Sequence, residues 1–449
     1  MIQVPDTPIS TIVRDLYRGK YSASELVELC LSAIVSQDPT LNAFIAVFDN
    51  EVRTAADAAD RAMAQGHIKG RLHGIPVSLK DMLDVKGVAT TAASRVRLGH
   101  RATRDAVVVS RLRAAGAIII GKCNLHEFAF GTTGEDSAAG PTRNPHDHER
   151  IPGGSSSGSA VSVASGMAIA SIGTDTGGSI RIPASACGVV GLKPTFSEVP
   201  CDGVVPLAPT LDHVGPLTRT VADADLLYRT ISNKSTAIDP SMAQRKEETS
   251  FGIPRSYFFD VIDRDVGTAF EHTIRRLEAA GGTVVDVDIP HASDTPTIYL
   301  HTQLPEAAMQ HRKLLETKSD EYCPGVRTRL ELGRYVLAQD YVLAQQGRQV
   351  LTKEVDDALL ECDVLLLPTL PILPPRLGSD TVTVGDIADS VRALTLRMTQ
   401  LFDLTGHPAI SLPSGFAKGL PVGTQLVGNR YQTSTLLSHA TRYEDSIRG

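Results

Sequence analysis

A chain of 449 residues with 44 basic against 51 acidic side chains has a formal net charge of −7 and no basic block, which argues against nucleic acid as a partner. Apolar residues at 42% and charged residues at 21% are the balance of a globular enzyme, and so exclude a disordered or fibrous chain. Tryptophan is absent, aromatics are only 5%, and no apolar run approaches the roughly 18 residues that a membrane span requires, so neither base stacking nor membrane insertion is expected.

Taken in order, 8–17 and 23–36 read as helices. The second opens on a capping box, Ser22 followed by Glu25, with apolar Leu26, Leu29, Leu31 and Ile34 behind it. Residues 41–48 are strand-like, and the alanine-rich 50–65 returns to helix. A short apolar strand, 74–80, ends in Lys80, at the kind of strand end where α/β proteins hold ligands. Helix 105–115 leads into the continuous apolar strand 117–120, the pattern of a sheet buried on both faces. Helix 158–166 and strand 168–174 repeat that rhythm. Further on come helix 221–231, strand 251–254, helix 264–280, strand 283–289 and a mainly helical 294–360. The remainder reads as buried strand 364–367, a proline-rich loop, helix 386–404, strands 409–412 and 424–427, and a last helix from 434. The alternation predicts an α/β fold, one large mixed central sheet with helices on both faces. A single domain is expected over 1–449, with a helical N-terminal part (1–65), a core (70–230) and a helical insertion or cap (290–405).

The six cysteines are widely spaced and form no CxxC pair, and the N-terminus lacks a basic-then-apolar signal pattern. Both features point to reduced thiols in a cytoplasmic protein. A metal is not expected either. His146 and His148 sit in a loop sequence with no accompanying ligand set, and His126 and His213 read as structural histidines.

Two glycine turns, Gly153-Gly154-Ser155 and Gly177-Gly178-Ser179, flank a small-residue segment. Glycine lets backbone N–H groups converge on one point, so a serine ending such a turn is a candidate nucleophile beside an anion hole. A flexible Gly/Ser linker is the competing reading; apolar runs abutting both turns speak against it. Serine needs a base, and no histidine stands in a triad motif, since Arg181 occupies the position where a Gly-x-Ser-x-Gly elbow would place glycine. Lys80 is the alternative base if burial lowers its pKa. The backbone N–H groups of Thr176, Gly177, Gly178 and Ser179 are the expected oxyanion donors.

Six ordered blocks then carry a resemblance. They are Pro76-Val-Ser-Leu-Lys-Asp81, Gly153-Gly-Ser-Ser-Ser-Gly-Ser159, Gly173-Thr-Asp-Thr-Gly-Gly-Ser-Ile-Arg181, Gly188-Val-Val-Gly-Leu-Lys-Pro194, Asp212-His-Val-Gly-Pro216 and Gly419-Leu-Pro-Val-Gly-Thr-Gln425. Together they resemble the amidase signature family over about 20–430. The resemblance implies a Ser–cis-Ser–Lys triad: Ser179 the nucleophile, Ser155 (after a cis bond from Gly154) the proton relay, and neutral Lys80 the base. It also implies hydrolysis of amide or amide-like C–N bonds, such as primary amides, anilides or carbamates, through an acyl-enzyme without a cofactor. Asp175 and Arg181 are expected to pair and hold the nucleophile turn. Gly131, Thr132 and Thr133 are expected to line the substrate pocket, with Met82 and Phe128. An apolar lining (Met82, Phe128, Phe130, Val204, Leu207) would favour an uncharged or aromatic substrate. The competing functions are a glutaminase subunit of a tRNA-dependent amidotransferase, disfavoured because the chain stops soon after the Gly419–Gln425 block, and a non-catalytic protein of the same fold. A small-molecule substrate and a monomer or homodimer complete the expectations.

Overall fold

Short apolar runs such as Ile118–Cys123 and Ala170–Asp175 are buried along their whole length, as strands covered by helices on both faces must be. In the computed structural model, which describes residues 7–232 and 248–448, these runs are gathered into one sheet. Its strands are β1 (Phe44–Val47), β2 (Pro76–Lys80), β3 (Ile118–Cys123), β4 (Ala170–Asp175), β5 (Val190–Lys193), β6 (His213–Thr218), β7 (Ser250–Pro254), β8 (Thr283–Val287), β9 (Val364–Pro368), β12 (Ala409–Ala417) and β13 (Leu420–Val427), while β10 (Thr381–Val384) and β11 (Ile387–Ser390) form a separate hairpin. The spatial order is β1-β3-β2-β4-β6-β5-β12-β13-β9-β7-β8. Parallel pairs at β2/β3, β2/β4, β7/β8 and β7/β9 join antiparallel pairs through the middle, so the sheet is mixed.

Local chemistry sets the helix starts. Ser22 accepts from the Glu25 N–H while Glu25 accepts from the Ser22 N–H, and helix Ala23–Leu41 follows. It runs past the expected end because Asn42, in the left-handed region at φ 53°, closes it only there. Asp263 caps helix Arg264–Ala279 one-sidedly, its carboxylate accepting from the Asp265 and Val266 N–H groups.

Two expectations need correction. Residues 386–404 are not one helix. Gly385, at φ 59°, opens a two-residue turn between Val384 and Ile387, which is hairpin chemistry. Ser390 then caps a short helix, Val391–Leu396, and a second, Leu401–Leu404, follows. Strands β5 and β6 were not expected, because Gly191, Gly215 and Pro216 dilute their apolar pattern. Gly215 is required there: a Cβ at that position would lie 2.0 Å from the Leu192 carbonyl oxygen. The segment 290–405 carries the strand expected at 364–367, as β9, and the β10–β11 hairpin besides its helices. Its helices Thr295–Lys318 and Pro324–Leu332 pack Leu304, Ala307, Leu315, Val326 and Leu330 against Met82, Phe128, Phe130 and Leu207. They thereby roof the end of the sheet where β2 and β4 stop.

Candidate active site

Strands β2 and β4 are parallel neighbours in register, Leu79 opposite Ile172, so the next residues of both emerge on one side of the sheet. Lys80 ends β2 and is fully buried. Its Nζ lies 2.7 Å from Ser155 Oγ and 2.8 Å from Thr174 Oγ1. Burial pushes the Lys80 ammonium down to about 7, against the opposing pull of Asp175 and Asp212. A lysine in that range holds a large neutral fraction at physiological pH and can take up a proton. Met82 contributes to the dryness: Thr174 Oγ1 points to its Sδ at 3.9 Å, and the side chain is buried.

The two glycine turns are stitched to each other. The Gly154–Ser155 peptide bond is cis. The Ser155 carbonyl accepts from the His126 N–H. The next N–H, of Ser156, donates to the Ser179 carbonyl at 3.1 Å, and Ser156 Oγ donates to the Thr174 carbonyl. Ser179 itself sits between β4 and helix Arg181–Cys187, 5% exposed, so the site retains a narrow opening at that side chain. The glycines before it are fixed by close neighbours. A Cβ on Gly177 would meet the Tyr299 hydroxyl at 2.2 Å, and one on Gly178 (φ 135°) would meet Thr399 Oγ1 at 2.3 Å.

Asp175 and Arg181 pair as expected, Nε to Oδ2 at 3.0 Å, both fully buried. Arg181 also donates to Asp403 Oδ2 at 2.5 Å, to Gln425 Oε1 and to the Thr399 carbonyl. Burial alone would raise the Asp175 carboxyl, but the Arg181 guanidinium holds it well below the usual carboxylate range. Burial, and next the Asp175 charge, push Asp403 the other way, well above that range. One of the four expected oxyanion donors is thereby removed: the Gly178 N–H donates to Asp175 Oδ1 at 2.5 Å. Asp175 uses it to pin the turn, which leaves Thr176, Gly177 and Ser179 as the candidate donors.

The pocket expectation divides. Gly131, Thr132 and Thr133 line a cavity of about 490 Å³ together with His126, Arg329 and Arg392. Met82 and Phe128 do not line it. They are packed with Phe130 and Leu207 in a buried apolar cluster, where Phe128 meets His311 edge-on. Val204, also expected in an apolar lining, packs against the same cluster. Among the described residues no cluster of His, Cys, Asp or Glu could hold a metal, and His146 instead contacts the Cys187 carbonyl. No helix of the described residues is long and apolar enough to cross a membrane.

Several partners were invisible in the sequence. Tyr299, Thr399, Asp403 and Arg392 arrive from more than a hundred residues downstream of the nucleophile turn. Thr174, Asp212 and Lys193 did carry a signal, since all three stand within the six ordered blocks. Asp212 accepts from Thr176 Oγ1 at 2.7 Å, and burial raises its carboxyl to about 6. Lys193 Nζ donates to the His407 carbonyl at 2.5 Å and lies 3.3 Å from His213 Nε2.

The family profile described as Amidase matches residues 25–437. The chain is 39% identical to the A subunit of a glutamyl-tRNA(Gln) amidotransferase from Anaeromyxobacter sp. (strain K), across 95% of this chain and 93% of that protein. It is 38% identical to an amidase of Pseudomonas putida, across 97% of this chain and 95% of that one. A crystal structure of an amidase aligns with a TM-score of 0.94 at 35% identity, covering 98% of this chain and 100% of the other. With a profile match over nearly the whole length and a shared mixed-sheet fold, the chain belongs to the amidase family of amidase signature enzymes, the C–N bond hydrolases.

Proposed function

We propose that this enzyme hydrolyses small carboxamides through an acyl-enzyme on Ser179, with Ser155 as relay and Lys80 as base. The observation that supports this reading most directly is the buried Lys80 amine 2.7 Å from Ser155 Oγ, with its pKa brought to about 7. Ser179 Oγ attacks the carbonyl carbon while its proton passes to Ser155 Oγ and the Ser155 proton passes to Lys80 Nζ. The oxyanion is received by N–H groups of the Thr176–Ser179 turn. Collapse of the adduct breaks the C–N bond, the amine leaving with the proton that Lys80 returns through Ser155. Water then cleaves the ester by the same relay, giving a carboxylic acid and regenerating Ser179. Anilides and carbamates present the same reacting carbonyl and fall within this chemistry.

A second reading, the glutaminase component of a tRNA-dependent amidotransferase, is supported by the 39% identity to such a protein. One experiment addresses both. The purified chain is assayed on aliphatic amides, anilides, N-aryl carbamates and glutamine, beside Ser179→Ala and Lys80→Ala. Hydrolysis of simple amides in preference to glutamine is expected, with each variant reduced at least about 10³-fold. Near wild-type turnover by either variant overturns the mechanism. Ammonia release from glutamine alone favours the second reading.

A further inference from the structure

A second cavity, of about 470 Å³, opens beside the helix Leu401–Leu404, which brings Asp403 to Arg181. None of Lys80, Ser155 and Ser179 lines it. Buried Leu404, Thr405 and Gly406 form its floor, the helix Ala338–Ala358 one wall, and the turn at Arg430 and Tyr431 another. Three cations face it, Arg348, Lys353 and Arg430, against one lining carboxylate, Asp356.

The charges are unequally matched. Asp356 is committed: its Oδ2 accepts from Arg430 Nη2 at 2.6 Å, and its Oδ1 lies 3.0 Å from His407 Nε2. Lys353 pairs with Asp357, outside the lining, and keeps 75% of its side chain exposed. Arg348 has no carboxylate within 4.0 Å among the described residues. It donates to neutral oxygens: the Leu404 carbonyl, Thr210 Oγ1 at 3.0 Å and the Thr210 carbonyl at 2.7 Å. A guanidinium has five N–H groups, so two remain. Glu306, whose charge acts on Arg348, is itself held by Thr210 and Tyr341. A half-buried cation with neutral partners is costly, and an arriving anion removes that cost.

The arrangement also selects among anions. Arg348 and Lys353 stand on the helix, and Arg430 reaches across from the turn to Asp356, so donors approach a ligand from two sides. A carboxylate holds its oxygens in one plane. A phosphate presents three in a tetrahedron, with close to two negative charges at pH 7. The cavity is larger than a phosphate group requires, and two rings border it, Phe196 and the 70% exposed Tyr431.

We propose that this cavity is a second ligand site, separate from the reacting centre, which receives a phosphate group on Arg348, Lys353 and Arg430. The phosphate is either free or carried by a small monoester whose organic part lies against Phe196 and Tyr431. The site does not depend on the Ser179 reaction, and its occupancy is measured without turnover.

Inorganic phosphate and phenyl phosphate are titrated calorimetrically into the wild-type chain, with succinate as the carboxylate control. Both phosphates are expected to bind saturably and at least tenfold more tightly than succinate. Gln349, exposed on the helix wall beside Arg348, supplies the decisive variant. Gln349→Glu sets an isosteric carboxylate in the cavity, and is expected to weaken phosphate at least tenfold at an unchanged melting temperature. Arg348→Gln should do the same; if it does not fold, Gln349→Glu still decides. Tighter binding of phenyl phosphate that is lost in Tyr431→Ala identifies a monoester, and equal affinities identify free phosphate. Saturating phosphate is expected to leave KM for an amide unchanged. No saturable binding of either phosphate, a change under threefold in Gln349→Glu, or competitive inhibition of amide hydrolysis overturns the site. Intact binding with no hydrolysis of any amide overturns the proposed reaction alone.

Discussion

At the scale of single residues, Lys80 must be buried to be a base, and that burial has a cost in stability. Unfolded, its amine titrates near 10.4; folded, it is brought to about 7 by desolvation. Between these values the unfolded chain binds the extra proton, so stability rises with pH across the window and the cost is fully present at its lower end. Lys80→Met is therefore expected to abolish amide hydrolysis while stabilising the protein at pH 7 by about 2 kcal/mol net of the two hydroxyls it leaves unpartnered. The advantage should shrink as the pH approaches 10. In the wild type, kcat/KM should rise through an acid limb with an apparent pKa near 7, because only the neutral amine accepts the proton. Denaturant unfolding at pH 7 and 9.5 and a pH–rate profile check both; a flat profile from pH 6 to 9, or a less stable variant at pH 7, refutes the assignment. The sequence made Lys80, Ser155 and Ser179 legible because glycine turns and a strand-end lysine are local patterns. Thr174 stands in the same block as Ser179, but its contact with Lys80 was not legible, since a strand threonine carries no mark of the amine it will meet once β2 and β4 align.

Among elements, the decisive connection runs from the turn after β4 to the helix Leu401–Leu404, through Arg181. Its guanidinium lies between Asp175 and Asp403, both fully buried, and reaches Gln425 on β13 as well. Removing the cation leaves two carboxyls facing one another in the interior. Arg181→Leu is expected to destabilise the protein by about 3–5 kcal/mol. Because Asp175 also holds the Gly178 N–H, the same change should loosen the oxyanion turn and lower kcat. Arg181→Leu/Asp403→Leu should recover part of the stability without the activity. Denaturant midpoints read the first effect and initial rates the second; a midpoint equal to wild type rules the connection out. The pairing of Asp175 with Arg181 was readable from six-residue proximity around a glycine turn. The third member, Asp403, lies 222 positions from Arg181 and had no local sign. The same holds for the strands. Amphipathic helices such as Arg264–Ala279 announce themselves by period, whereas β5 and β6 are held by their neighbours and contain the glycines and proline that obscure a strand. The β10–β11 hairpin was hidden for another reason: its Gly385-Asp386 turn fell within a stretch whose residues also suit a helix.

For the molecule as a whole, chain order and spatial order disagree in a consequential place. The last two strands, β12 and β13, occupy the middle of the sheet, between β5 on one side and β9 on the other. Within the sheet, β1 to β6 are therefore joined to β7, β8 and β9 through β12 and β13, near the C-terminus. Helix Thr433–Arg448 adds Leu436, Leu437, Ala440 and Tyr443 to the main apolar core, a loss of roughly 1.5–3 kcal/mol for each large side chain removed from it. A chain cut after Thr405 thus loses more than a terminal segment. Two sheet edges open, at β5 and at β9, and each exposes unpaired backbone groups of strands that are buried on both faces. Gln425, one of the acceptors of Arg181, goes with the same segment. Such a truncation is expected to give an aggregating product with no cooperative thermal transition and no amidase activity, although Lys80, Ser155 and Ser179 are all retained. Static light scattering and a calorimetric scan of the 1–405 chain test this. A cooperative transition near the wild-type temperature would mean that the first six strands form an independent unit, and that the site does not depend on the closure of the sheet.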